Sequence, residues 1–144
     1  MKKFISVLLS VVMMMSVLSV GALAATPKSN GGSAAPLYES TNSIYSLLTI
    51  KNNTAECKTT LMLSNGEKWE SITQTLERQS SSGNWISTSN SWTKSADGSS
   101  IACVFSNSAT LSSSGKYRVK SIVVVETSNK KKEIITVYSS TVSA

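Results

Sequence analysis

Apolar and polar residues alternate along most of the chain after residue 38. From Ala55 to Leu63, apolar and small residues occupy every second position, with mostly charged or polar residues between them. A period of two is typical of strands that bury one face. Similar alternation or an extended pattern recurs in six other segments, so the sequence predicts about seven strands: 44–50, 55–63, 72–77, 85–94, 101–105, 117–126 and 134–142.

Turn residues separate these segments at short intervals. Asn65-Gly66, Gly83 and Asp97-Gly98 stand between predicted strands, and 70–94 is predicted to form a hairpin. Connections this short require antiparallel pairing, because parallel strands need crossovers of a dozen or more residues. We therefore predict an all-β fold, a single antiparallel two-sheet sandwich over residues 38–144. A small barrel is the alternative architecture.

The N-terminus has the pattern of a secretory signal peptide. Two lysines precede an apolar run that ends near Val20, and Ala22-Leu23-Ala24 supplies a small-x-small cleavage motif. We predict a cleaved signal peptide over 1–24, a flexible leader over 25–37, and a secreted, extracellular protein. A permanent membrane anchor is the alternative interpretation of the apolar run.

The net charge of +6 is mildly basic, and two of these charges belong to the predicted signal peptide. A nucleic-acid-binding protein usually concentrates its positive charge in a patch or stripe. The main cluster here is Lys130, Lys131 and Lys132, in a predicted turn, so we expect no nucleic-acid partner. These lysines are candidate contacts for anionic wall polymers or headgroups, although a lysine-rich hairpin tip also discourages edge pairing.

The chain contains two cysteines, Cys57 and Cys103. Exported proteins commonly pair their cysteines, so we predict one disulfide between them. Two separately buried thiols are the alternative, since free cysteine behaves as a small hydrophobic residue.

Much enzymatic chemistry is excluded by composition. The chain has no histidine, which removes Ser–His and Cys–His catalysis and every His-containing metal site. Glu67 and Glu70, near Trp69, come closest to the paired carboxylates of a glycosidase, but surface charges at a strand start are the favoured explanation. We expect no cofactor, no metal site and no enzymatic activity, with a carboxylate-dependent hydrolase as the remaining enzymatic alternative.

Three tryptophans, Trp69, Trp85 and Trp92, are candidate binding residues. Exposed tryptophans on a sandwich can stack on sugars or anchor a protein partner, whereas a buried tryptophan would fill the core. Trp85 and Trp92 are an odd number of positions apart, so on one regular strand they face opposite sides.

The segment Leu111-Ser112-Ser113-Ser114-Gly115-Lys116-Tyr117-Arg118-Val119 resembles the E–F corner of fibronectin type III and immunoglobulin-like sandwiches. That resemblance implies a structural role for Tyr117, whose hydroxyl would bond to upstream backbone. It also implies that Cys57 and Cys103 lie on neighbouring strands B and E of one sheet. The immunoglobulin cysteine two positions after the tyrosine is replaced by Val119.

Residues 40–142 are also similar to a group of small secreted proteins of Gram-positive bacteria, through 72–77, Gly83-Asn84-Trp85, Ser91-Trp92 and 115–120. This resemblance implies a sandwich and an extracellular location, and no activity. Together these features favour a secreted, non-enzymatic binding or interaction module for a cell-envelope polymer, a glycan or a protein. The alternative is a secreted antibacterial effector or inhibitor that acts on another cell.

Overall fold

The computed structural model describes residues 31–33, 40–64, 66–98 and 100–144. The predicted signal peptide and most of the predicted leader lie outside the described residues. Within the described part, no helix is long and apolar enough to cross a membrane.

Nine strands form the regular structure of the described residues. Seven are long and correspond to the seven predicted strands, and two are short. In chain order they are β1 (Gly31–Ser33), β2 (Thr41–Lys51), β3 (Thr54–Leu63), β4 (Lys68–Gln79), β5 (Trp85–Ser95), β6 (Ala102–Thr110), β7 (Lys116–Glu126), β8 (Lys132–Tyr138) and β9 (Val142–Ser143).

The strands form two antiparallel sheets. The first sheet has the order β1-β2-β3-β6, and the second has the order β5-β4-β7-β8, with β9 paired to β7. The predicted all-β antiparallel sandwich is therefore confirmed, including the β4–β5 hairpin. Three residues of the predicted leader, Gly31–Ser33, form β1 and pair with Tyr45–Leu47 of β2.

The inner faces of the two sheets enclose two apolar clusters. The first cluster contains ten buried residues: Ile44, Leu61, Leu63, Trp69, Ile72, Cys103, Val123, Val125, Ile135 and Val137. The second cluster contains eight: Leu48, Ala55, Cys57, Leu76, Ala109, Leu111, Tyr117 and Val119. Their burial removes apolar surface from water, which is the main favourable term in folding.

A layer of buried polar residues lies between the two clusters. On each of four central strands, the inward residue between a member of one cluster and a member of the other is polar. This polar layer consists of Ser46 on β2, Thr59 on β3, Gln74 on β4 and Ser121 on β7, each completely buried. Such groups can be buried without a large cost only if they find hydrogen-bond partners.

The polar layer is hydrogen-bonded across the sheets. Ser46 Oγ donates to Ser121 Oγ at 2.6 Å, and the hydroxyls of Thr59 and Ser121 lie 2.8 Å apart. Gln74 Nε2 donates to Thr59 Oγ1 at 2.7 Å and to Phe105 O at 3.0 Å. The layer therefore links the two sheets by directed bonds at the centre of the sandwich.

The predicted disulfide is wrong, because the two cysteines are out of register. Both are buried and free, and their strands β3 and β6 are neighbours. However, Cys57 pairs with Asn107, whereas Cys103 pairs with Leu61. Four positions of register correspond to about 13 Å along a strand, and a disulfide needs Cα atoms within about 7 Å. The alternative of two separately buried thiols describes the observed arrangement.

Candidate functional site

Trp69 belongs to the core. It is only 3% exposed, although its position is out of phase with the inward residues Ile72 and Leu76. A bulge between β4 and β7 explains this, because Trp69 pairs with Val125 while Ser71 pairs with Val124. The extra residue reverses the alternation. Trp69 is therefore enclosed by the first cluster and offers no ring face to a large ligand.

Trp92 also faces inward. It pairs with the buried Gln74 of β4 and packs, half-buried, against the second cluster. Trp85 pairs with Gln79 and lies on the opposite, outer face of the second sheet. The two tryptophans therefore face opposite sides of β5, as their odd spacing predicts.

On that outer face, Trp85 is part of a stacked group. The Arg118 guanidinium lies 4.3 Å from the centroid of the Trp85 ring and 4.2 Å from that of the Tyr138 ring. Arg118 Nε also donates to Glu77 Oε2 at 2.7 Å. These four residues, here called the outer stack, bring together side chains from β4, β5, β7 and β8. Cation–π contacts and a charge-assisted hydrogen bond hold the guanidinium in one position.

Exposed apolar side chains continue from the outer stack along the same face. Lys120 pairs with Tyr138, and Val124 pairs with Ile134, which is 65% exposed. On the other side of the face, hydroxyl pairs line up between β4 and β5: Thr73 with Thr93 at 3.0 Å and Thr75 with Ser91 at 3.1 Å. Hydroxyl side chains therefore lie on the β4–β5 side of the outer face, whereas Tyr138, Ile134 and Lys120 lie on its β7–β8 side.

The lysine turn is exposed, and one of its three lysines is paired with a carboxylate. Lys132 Nζ donates to Glu70 Oε2 at 2.8 Å, and this hydrogen bond with Glu70 raises the pKa of Lys132. Lys130 has a positive φ of 58° at the turn, and its side chain and that of Lys131 are exposed. All three lysines are therefore exposed, although Lys132 is paired with Glu70, and they lie far along β7 from the outer stack.

Glu67 and Glu70 have different surroundings. Glu70 is the carboxylate that Lys132 binds, whereas Glu67 lines a shallow hollow with Glu133 and Lys131. Trp69, between them in sequence, points into the core. Among the residues that the structure describes, no group of three or more acidic or cysteine side chains could hold a metal ion.

Tyr117 is buried in the second cluster, and its hydroxyl donates to Ser113 O at 2.6 Å. This bond ties the start of β7 to the loop that precedes it. Arg78 also ties down this loop, since its Nη2 donates to Ser114 O at 2.9 Å. At Gly115, where φ is 147°, an added Cβ would lie 3.0 Å from Arg78 Nε, so glycine leaves room for this contact.

A cleft of about 330 Å³ opens beside this loop. Its walls are the 110–113 segment and a bulged part of β5, and it is called the side cleft below. No pattern in the sequence predicts this cleft. The bulge that opens it is a register shift, in which Thr75 to Glu77 on β4 faces Ser91 to Ser87 on β5. Residues 87–91 are Ser, Thr, Ser, Asn and Ser, which are common in turns, but without Gly or Pro the segment was predicted as part of one extended strand.

A scan against known protein families finds no matching family, and a search of curated proteins finds no match either. The candidate sites therefore have to be judged on their own geometry.

Proposed function

We propose that this protein is a secreted, non-enzymatic module that binds a macromolecule of the cell envelope or its surroundings through the outer face of the second sheet. The observation that carries the proposal is the outer stack on an otherwise open sheet face. Trp, Tyr and Arg are the side chains most enriched among residues that dominate binding energy. Here one of each is placed together, with exposed Ile134 on the same face.

The stack is already ordered in the free protein. Arg118 is fixed by Glu77 and by two rings, so little side-chain freedom remains to be lost on binding. The ion pair also balances the guanidinium charge, and a charged partner is therefore not required. The hydroxyl rows beside the stack can donate and accept hydrogen bonds, which suits a partner with both apolar and polar groups.

The architectural resemblance to fibronectin type III and immunoglobulin-like sandwiches is part of the same proposal. Two observations support it: the Tyr117 bond to Ser113 O, and the strand order. Lettered as in those domains, β2, β3 and β6 become A, B and E, and β5, β4, β7 and β8 become C′, C, F and G. Many extracellular binding modules use sandwiches of this kind.

Tryptophan fluorescence tests the proposal. The purified protein is titrated with a panel of bacterial wall polymers, host glycans and cell-envelope protein extracts. Because Trp69 is enclosed and Trp92 faces inward, we expect a saturable spectral shift to come from Trp85. In the variant Trp85→Phe the shift should disappear, and Tyr138→Ala should weaken binding about tenfold or more.

Trp92→Phe is the matched control and should leave the shift in place. If Trp85→Phe and Tyr138→Ala bind each responding partner as tightly as the unaltered protein does, the outer stack is not the binding surface and the proposal fails.

A further inference from the structure

We propose that the side cleft is a second binding site, for a single neutral saccharide unit with hydroxyl or acetamido groups. The proposal does not depend on the outer stack, because none of the four residues of the outer stack lines the side cleft. Its volume of about 330 Å³ is within the range of small-ligand sites.

The floor of the side cleft is apolar. Leu76, Leu111 and Tyr117 line it, and each is almost completely buried. Ile86 stands at the mouth and is 56% exposed, which is unusual for such a large aliphatic residue. A pyranose ring presents C–H groups on its faces, and these match such a floor.

Apart from Arg78, the walls are polar and uncharged. They consist of hydroxyl side chains from the 87–89 and 110–113 segments and from Ser80, and of the amides of Gln79 and Asn90. Hydroxyl groups donate and accept hydrogen bonds, as do the hydroxyls of a sugar. Within the described residues, no carboxylate lines the side cleft, and its one cation, Arg78, is engaged by Ser114 O. The many uncharged groups of the lining favour a neutral ligand, and the charge of Arg78 makes an acidic sugar the alternative ligand.

Both walls are fixed before any ligand arrives. Thr88 Oγ1 donates to Leu76 O at 2.8 Å and accepts from the backbone N–H of Asn90, so the bulge is tied to β4. The opposite wall is held by the Tyr117 bond to Ser113 O. Preorganised polar groups around an apolar floor reduce the entropy that a small ligand must lose on binding. Bulges often reposition side chains beside functional sites.

Amide NMR of the uniformly ¹⁵N-labelled protein tests the inference, with glucose, N-acetylglucosamine and their β-1,4-linked disaccharides as probes. We expect saturable shifts of the backbone N–H groups of Ser89 and Leu111 and of the Asn90 side-chain amide. For a ligand of this size the dissociation constant should be about 1 mM. The Trp85 indole N–H should not move.

The variant Ser89→Trp fills the mouth of the side cleft and should weaken binding about tenfold or more. Ser95→Trp, the same change at the other end of β5, is the control and should bind normally. Saturable shifts confined to the outer stack, preference for glucuronate over glucose, or no saturable shift with any probe would each overturn the inference. The outer stack is tested separately through Trp85→Phe and Tyr138→Ala, so failure of the side cleft leaves the proposed function standing.

Discussion

The two faces of the second sheet hold their polar groups in different ways. On the inner face, Gln74 is completely buried and hydrogen-bonds to Thr59, to Phe105 O and to the Asn107 amide, all of the first sheet. On the outer face, Arg118 is held by one carboxylate and two ring faces while it keeps some contact with water. The inner residue must replace every bond to water that it loses, whereas solvent partly screens the outer one.

This difference suggests that the two faces of the second sheet have different roles. The polar layer fixes how the two sheets face each other, since a shift of any central strand by two positions would place an unpaired polar group against a leucine or valine. The outer stack makes no contact with the first sheet and can therefore present its side chains to a partner. We expect changes on the inner face to reduce stability most, and changes on the outer face to affect binding more than folding.

The largest effect should come from Gln74→Ala. The change removes three hydrogen bonds, leaves the Thr59 hydroxyl and the Asn107 amide short of partners, and opens a cavity. We expect the free energy of unfolding to fall by about 3 kcal/mol. Urea denaturation followed by tryptophan fluorescence measures it.

Gln74→Met is the matched control, because it keeps most of the volume and loses the hydrogen bonds. It should cost about 2 kcal/mol. A cost below about 0.5 kcal/mol for Gln74→Ala would mean that the polar layer does not stabilise the sandwich, and the contrast between the two faces would not hold.

The alternation of residues predicted most of the fold, and it contains the phase of two members of the polar layer. Gln74 shares its phase with Ile72 and Leu76, and Thr59 shares its phase with Cys57 and Leu61, so both could be placed on an inner face. The pattern could not predict the register between neighbouring strands. Register depends on which strands meet and where bulges fall, and the disulfide prediction failed at this point.

Because strand register and bulges could not be predicted from the sequence, the sites were predicted only in part. The inward position of Trp69 depends on a bulge with no sequence signature, and the side cleft depends on another. The outer stack could be found only in part. Its members alternate with inward residues on their own strands, but their meeting requires the β5-β4-β7-β8 order, which turn lengths alone do not determine.

A smaller effect is expected for Arg118→Ala. The variant loses two cation–π contacts and leaves the largely buried Glu77 carboxylate without its partner. We expect a loss of about 2 kcal/mol in the free energy of unfolding. Arg118→Lys keeps the charge but not the planar group that lies between the rings, and should retain about half of this stability.

The dependence of stability on salt should differ between the two faces of the second sheet. At high ionic strength, the difference between Arg118→Ala and the unaltered protein should shrink, because the exposed part of the ion pair is screened. The difference for Gln74→Ala should not change, since its bonds are neutral and enclosed. Urea denaturation at low and high sodium chloride concentration checks both, and equal salt dependence of the two differences would contradict the distinction.

The smallest effect concerns the Cys57 thiol, whose ionised form is disfavoured by burial in the core. Cys57 lies two residues from Thr59 on β3, and burial raises its pKa from 9.0 to about 12. The thiol therefore ionises more readily in the unfolded chain than in the folded one. Its contribution to stability is complete below about pH 9 and is lost as the pH rises toward about 12. Between pH 8 and pH 10, we expect it to lower the free energy of unfolding by about 1 kcal/mol.

Cys57→Ala isolates this contribution, because the other groups that ionise in this range are present in both proteins. The decline in stability between pH 8 and pH 10 should be shallower in the variant by about 1 kcal/mol. For the unaltered protein, intact mass after alkylation in denaturant should show two labelled thiols without any reductant. If labels appeared only after reduction, a disulfide would join the cysteines, the register of β3 and β6 would be different, and the alignment of the polar layer with Phe105 and Asn107 would have to change with it.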